Sequence, residues 1–157
     1  MTNSTPQYFK AIALSCLIAG TLDISDAFIF YGLRGVSPTR IVQGIASGVL
    51  GRASFTQGTH SALLGLFFHY LIATTAATLY ILASRHLPLS RHPLLWGGLY
   101  GLVVYAVMNY IVLPLSKIGL RPTPPLLPLI NGVAALIFCI GIPIALIARR
   151  YIPYKIP

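Results

Sequence analysis

The sequence predicts an all-α fold, a four-helix transmembrane bundle with a short amphipathic helix between the first and second spans. Three observations carry this. Only 8% of residues are charged and the mean hydropathy is +0.80, whereas a soluble domain carries about a quarter charged residues. Four apolar stretches, at 11–33, 59–84, 94–115 and 126–148, each have the roughly 20 residues needed to cross a hydrocarbon core. The segments between them are rich in turn-forming residues. At 17.0 kDa, residues 1–157 read as a single integral-membrane domain.

The first stretch follows Lys10, as the apolar core of a secretory leader follows a basic residue. It runs well past the length of such a core and ends at no Ala-x-Ala site, so it reads as a retained span. Its segment GTLDISDAFIF, 20–30, holds Asp23 and Asp26, the only acidic residues of the chain. The second and third spans are separated by Arg85-His86-Leu87-Pro88 and Ser90-Arg91-His92-Pro93. Arg121-Pro122-Thr123-Pro124-Pro125 stops the third span, because proline removes a backbone donor and clashes with the preceding turn. Short connections make neighbouring helices antiparallel, giving an up-down-up-down bundle.

The first connection is longer. SPTRIVQGIASGVLGR, 37–52, opens with Ser37 as a helix cap and Pro38 at the first helical position. Ile41, Ile45 and Val49 recur every fourth residue, and Gly44 and Gly48 form a second stripe. The segment 38–52 is too short to span, so it reads as an interfacial helix or a re-entrant one packed against the bundle. Arg40 and Arg52 at its ends favour the interface.

The formal charge of +9 comes from 11 basic against 2 acidic residues. These basic residues fall between apolar runs, which points to a bilayer with anionic headgroups as the partner and away from nucleic acid. Lys10, Arg85, Arg91, Arg149, Arg150 and Lys155 fall on one side, and Arg34, Arg40, Arg52, Lys117 and Arg121 on the other. The excess on the first side places both termini in the cytoplasm. Arg34, Arg40 and Arg52 are the interfacial basic residues.

Each span carries one stripe of small and polar residues at four-residue spacing, the usual face for close helix contact in lipid. The stripes are Ser15, Ala19 and Asp23, with Asp26 three further on; Ser61, Gly65, His69, Ala73 and Ala77; Gly97, Gly101, Tyr105 and Asn109; and Asn131, Ala135 and Cys139. Counted inward from the side of the 34–58 connection, Asp23, His69 and Tyr105 each lie about 15 Å deep, near the midplane. Asp26, Asn109 and Asn131 lie about 8–11 Å deep. The expected interior therefore has an Asp23–His69–Tyr105 layer and an Asp26–Asn109–Asn131 layer.

A charged side chain at the centre of a membrane helix costs about 2.5–3.5 kcal/mol on insertion scales, and such residues usually pair or mark a pathway. Asp23 and His69 read either as a proton-responsive site or as a structural hydrogen-bonded pair. For Asp26, an ion pair with Arg34, Arg40 or Arg52 is the competing expectation. For Asn109 and Asn131 it is interhelical hydrogen bonding alone, and for Tyr105 it is packing. His60 falls on the face opposite His69, and His86 and His92 fall in a loop.

No catalytic residue, metal site or cofactor is predicted. GxSxG, P-loop and GxGxxG motifs are missing, and Cys16 and Cys139 lie in apolar stretches as small hydrophobes. A di-iron bundle uses four carboxylates and two histidines. Haem held by two histidines needs a second mid-membrane histidine, which only another copy of the chain supplies.

The segments Thr21-Leu22-Asp23-Ile24, Arg40-Ile41-Val42-Gln43-Gly44-Ile45-Ala46-Ser47-Gly48-Val49-Leu50-Gly51, Leu64-Gly65-Leu66-Phe67-Phe68-His69, Asn109-Tyr110-Ile111-Val112-Leu113-Pro114-Leu115-Ser116 and Leu129-Ile130-Asn131-Gly132 together resemble a family of uncharacterised small four-span bacterial membrane proteins. The resemblance covers nearly the whole chain and implies a bacterial inner-membrane location. It brings no activity, substrate or site residue. Three functional readings stand at this point. The polar interior binds or passes a proton, ion or small polar solute; or the chain is a non-catalytic structural or accessory subunit of a membrane complex or homo-oligomer; or it binds a quinone or other lipid-soluble ligand, with His69 and Tyr105 on its carbonyl.

Overall fold

The computed structural model describes residues 5–152. Both chain ends, including Lys155, lie outside the described residues. Among these residues there are five helices and no strand, and four of the helices are long and apolar enough to cross a membrane. This is a membrane protein. We number the helices α1 (Thr5–Gly32), α2 (Pro38–Leu50), α3 (Gly58–His86), α4 (Pro93–Leu115) and α5 (Leu126–Tyr151). A single 3₁₀ turn, Gly51–Phe55, joins α2 to α3.

Local chemistry explains the ends. At the end of α1, Val36 N–H bonds the Tyr31 carbonyl at 3.1 Å and Gly35 N–H bonds that of Gly32 at 2.9 Å. Gly35 has φ +81°, so the left-handed residue that this closing motif requires is a glycine. Ser37 caps α2 as expected, accepting from Arg40 N–H at 3.3 Å with Pro38 next in line.

Two of the long helices contain a widened turn. In α4, residues Met108–Val112 are π-helical, and Leu113 N–H bonds the Met108 carbonyl five residues back. In α5, Leu136–Gly141 are π-helical, and Ile142 N–H bonds that of Ile137. Each time the residue that follows the donor is proline, Pro114 or Pro143. Proline lacks the N–H for its own bond and crowds the carbonyl four residues earlier. Widening the preceding turn relieves that crowding without breaking the helix.

The helices run up-down-up-down. The C-terminal halves of α1 and α4 and the N-terminal halves of α3 and α5 share one end. At the opposite end Ala11, Ala77, Ile81, Ile144, Ala145 and Ala148 form a dry core with Tyr80 and Ile140. Helices α1, α3 and α5 pack mutually, whereas α4 packs mainly on α5. Glycine allows that last contact. A Cβ on Gly101 would sit 2.5 Å from the Leu136 carbonyl oxygen and 2.6 Å from Ile137 Cα, and one on Gly141 would strike the Gly97 carbonyl oxygen. Such small-residue faces let helix backbones approach closely in lipid. Outward faces carry Leu17, Ile29, Leu63, Phe67, Leu79, Leu102 and Phe138, all exposed and suited to acyl chains.

Helix α2 docks on α3. Its inward face is Val42, Gln43, Ala46 and Ser47, and a Cβ on Gly65 would strike the Val42 carbonyl oxygen. The Gln43 amide donates to the Gly58 carbonyl at 3.0 Å and to Ser61 Oγ at 3.3 Å, while Ser61 donates to the Ser54 carbonyl. The Ile41–Ile45–Val49 stripe is not this buried face, and Val49 is exposed. Ile41 and Ile45 are half-buried, so the apolar stripe flanks the docked face and reaches the surface at Val49.

Two neighbouring glycines test the α4–α5 contact. Gly101→Ala is expected to lower the detergent melting temperature, with a cost at or above the usual overpacking range of about 1–3 kcal/mol. A Cβ on Gly98 meets nothing closer than Ile137 Cγ2 at 4.0 Å, so Gly98→Ala should be neutral or stabilise by up to about 1 kcal/mol.

Candidate functional site

Because α4 leans on α5 and leaves α1, a cleft of about 580 Å³ opens between these three helices at the end bearing the 116–125 connection. Asp23, Asp26, Ala27 and Tyr31 line it from α1, Tyr105, Asn109, Tyr110, Leu113 and Pro114 from α4, and Leu129, Asn131, Ala135 and Leu136 from α5. Gly119 to Pro124 form its lip, with Arg121 among them.

Five of the six polar residues singled out from spacing and depth therefore line one cavity: Asp23, Asp26, Tyr105, Asn109 and Asn131. Their bonding differs from residue to residue. The Asn131 amide donates to Asp26 Oδ2 at 2.8 Å, joining α5 to α1. The Asn109 amide donates to the Tyr105 carbonyl of its own helix at 2.9 Å, so the expected Asp26–Asn109–Asn131 layer contains one interhelical bond. Asp23 makes no hydrogen bond among the described residues.

His69 is the sixth, and it stands behind the cleft wall. It is buried at 8% exposure. Its Nε2–H donates to the Gly20 carbonyl at 2.7 Å, because a carbonyl only accepts. That bond fixes a proton on Nε2. The imidazole interacts electrostatically with Asp23, but the expected Asp23–His69 hydrogen bond is replaced by a bond to backbone three residues earlier on α1. The Gly20 carbonyl is the nearer acceptor, because Gly20 lies buried against α3, where a Cβ would come within 3.0 Å of the Tyr70 ring.

The arginines do not pair with Asp26. Arg34 folds back onto the Phe30 carbonyl and stacks 3.6 Å from the Phe30 ring centroid. Arg40 lies 4.7 Å from that of Phe55. Arg52 is exposed, as are His60, His86 and His92.

Among the lining residues outside the stripes read from the sequence are Tyr31, Tyr110 and Arg121. Tyr31 continues the Asp23–Ala27 spacing by one more turn, a signal that was present. Tyr110 lines the cleft beside Asn109 within the π turn that spans both. Arg121 reaches the lip through a proline-rich loop whose path no periodicity describes.

The Asp26–Asn131 bond is open to a double-mutant cycle. Asp26→Ala and Asn131→Ala should each destabilise the detergent-solubilised protein and show a coupling of about 1 kcal/mol, between the membrane average and the value for charge-assisted bonds. Pairing Asp26→Ala with Asn109→Ala should be additive.

No protein-family model, no curated protein and no solved structure matches this chain.

Proposed function

We propose that the cleft binds or passes a small polar solute or ion, in a multi-pass protein of the bacterial inner membrane with both termini on the cytoplasmic side. One observation carries this reading: the only two acidic side chains of the chain line a single cavity, and one of them, Asp23, has no hydrogen-bonded partner among the described residues. A purely structural carboxylate in a membrane helix is expected to be paired, because an uncompensated one is costly. Asp26 meets that expectation through Asn131. Asp23 instead faces the space that a ligand or water would fill. The cleft volume falls within the roughly 300–1,000 Å³ of small-molecule sites.

The quinone reading needs His69 and Tyr105 on one wall. Tyr105 is on it, whereas His69 is turned to Gly20. The cytoplasmic placement of the termini is supported by the six-to-five distribution of basic residues across the two sides, and the bacterial inner membrane by the family resemblance.

Access to the cleft is measurable with a thiol. Ala27→Cys, made in a Cys16→Ser, Cys139→Ser background, should react with methyl methanethiosulfonate in water at least about tenfold faster than the outward-facing Leu102→Cys, because the reactive thiolate forms only in a polar setting. Equal, slow rates would make the polar residues helix-joining groups and favour an accessory subunit.

A further inference from the structure

We infer that the solute bound in the cleft is an organic ammonium, held by the Asp23 carboxylate and by the tyrosine rings around it; this rests on the cleft being a polar binding site. The lining supplies two carboxylates, Asp23 and Asp26, against one guanidinium, Arg121 at the lip. Arg121 makes no ion pair with either carboxylate among the described residues, and His69, which acts on Asp23 from outside the lining, gives its Nε2–H to Gly20 instead of the carboxylate, so both carboxylates stay open to a cationic solute. An anionic solute is disfavoured by that balance. A transition-metal cation is poorly served too, because the wall carries no imidazole or thiol, and a hard divalent cation finds only two carboxylates, with one oxygen of Asp26 already taken by Asn131 and no third ligating side chain grouped with them among the described residues.

Three phenol rings complete the wall: Tyr31 on α1, Tyr105 and Tyr110 on α4. Aromatic faces attract weakly hydrated organic cations, and a ring set beside a carboxylate is the usual recognition chemistry for alkylammonium groups. The volume of about 580 Å³ exceeds what a proton or a small inorganic ion needs and matches an organic molecule. The ammonium has two possible sources, a soluble amine or the headgroup of an ethanolamine phospholipid entering from the bilayer.

The test uses the Ala27→Cys chain, with a Cys16→Ser, Cys139→Ser background, and reads how fast methyl methanethiosulfonate labels it. In phosphatidylglycerol bilayer discs, benzyltrimethylammonium should slow labelling by about tenfold or more, while benzyl alcohol and benzenesulfonate should change it by less than about twofold. Adding Asp23→Asn should abolish the protection while the protein stays folded by melting temperature. Tyr105→Leu should weaken apparent affinity by about fivefold and Tyr105→Phe should keep it. Protection without added amine in phosphatidylethanolamine discs assigns the ammonium to lipid, and protection only by the soluble probe assigns it to a free amine. Equal protection by benzyl alcohol, or labelling that no cation slows, overturns the ammonium inference and leaves the polar site intact. Failure of the reagent to enter at all overturns both.

Discussion

The hydrogen bond from Asn131 to Asp26 joins residues 105 positions apart, and the shape of the polar end depends on it. A bilayer core offers no water to a carboxylate, so the donor must come from the protein. Supplying it from α5 draws the C-terminal half of α1 and the N-terminal half of α5 together. Helix α4 is then placed by a different rule. It follows α5 through Gly97, Gly101 and Gly141, where backbones touch. Its distance from α1 is set only indirectly, and the space left over is the cleft.

The two π turns belong to the same arrangement. Pro114 and Pro143 each force the turn before them to widen, and the widened turn of α5 packs against α4. Leu136 and Ile137, in the α5 turn, are the atoms that a side chain at Gly101 would strike. In α4 the widened turn brings Asn109 and Tyr110 to the same cavity.

At the opposite end of the bundle alanine and isoleucine close the interior. Ser84 donates to the Tyr80 carbonyl at 2.8 Å and Thr78 to that of Thr74 at 2.7 Å, each within its own helix. Tyr100 Oη donates across to the Ala76 carbonyl at 2.7 Å, joining α4 to α3, and the buried Tyr80 hydroxyl has no hydrogen-bond partner among the described residues. At the cleft end polar groups reach across helices or stand open. His69 marks the border between the two, holding α3 to α1 through Gly20 while its electrostatic reach extends to Asp23.

The sequence by itself determined the spans, their order and their small-residue faces. Hydropathy over about 20 residues, capping by Ser37 and Pro38, and four-residue spacing are all local properties that the chain carries into any packing. Spacing and depth even gathered five of the six polar residues that meet at one cavity. Only the tertiary structure decided who bonds whom. His69 took Gly20 over Asp23, Asp26 took Asn131 over an arginine, and α2 turned its Gln43–Ser47 face to α3 with its isoleucines at the flank. Those choices depend on interhelix distances of a few ångströms, set by glycine contacts and proline-widened turns acting together, and a linear pattern does not contain them.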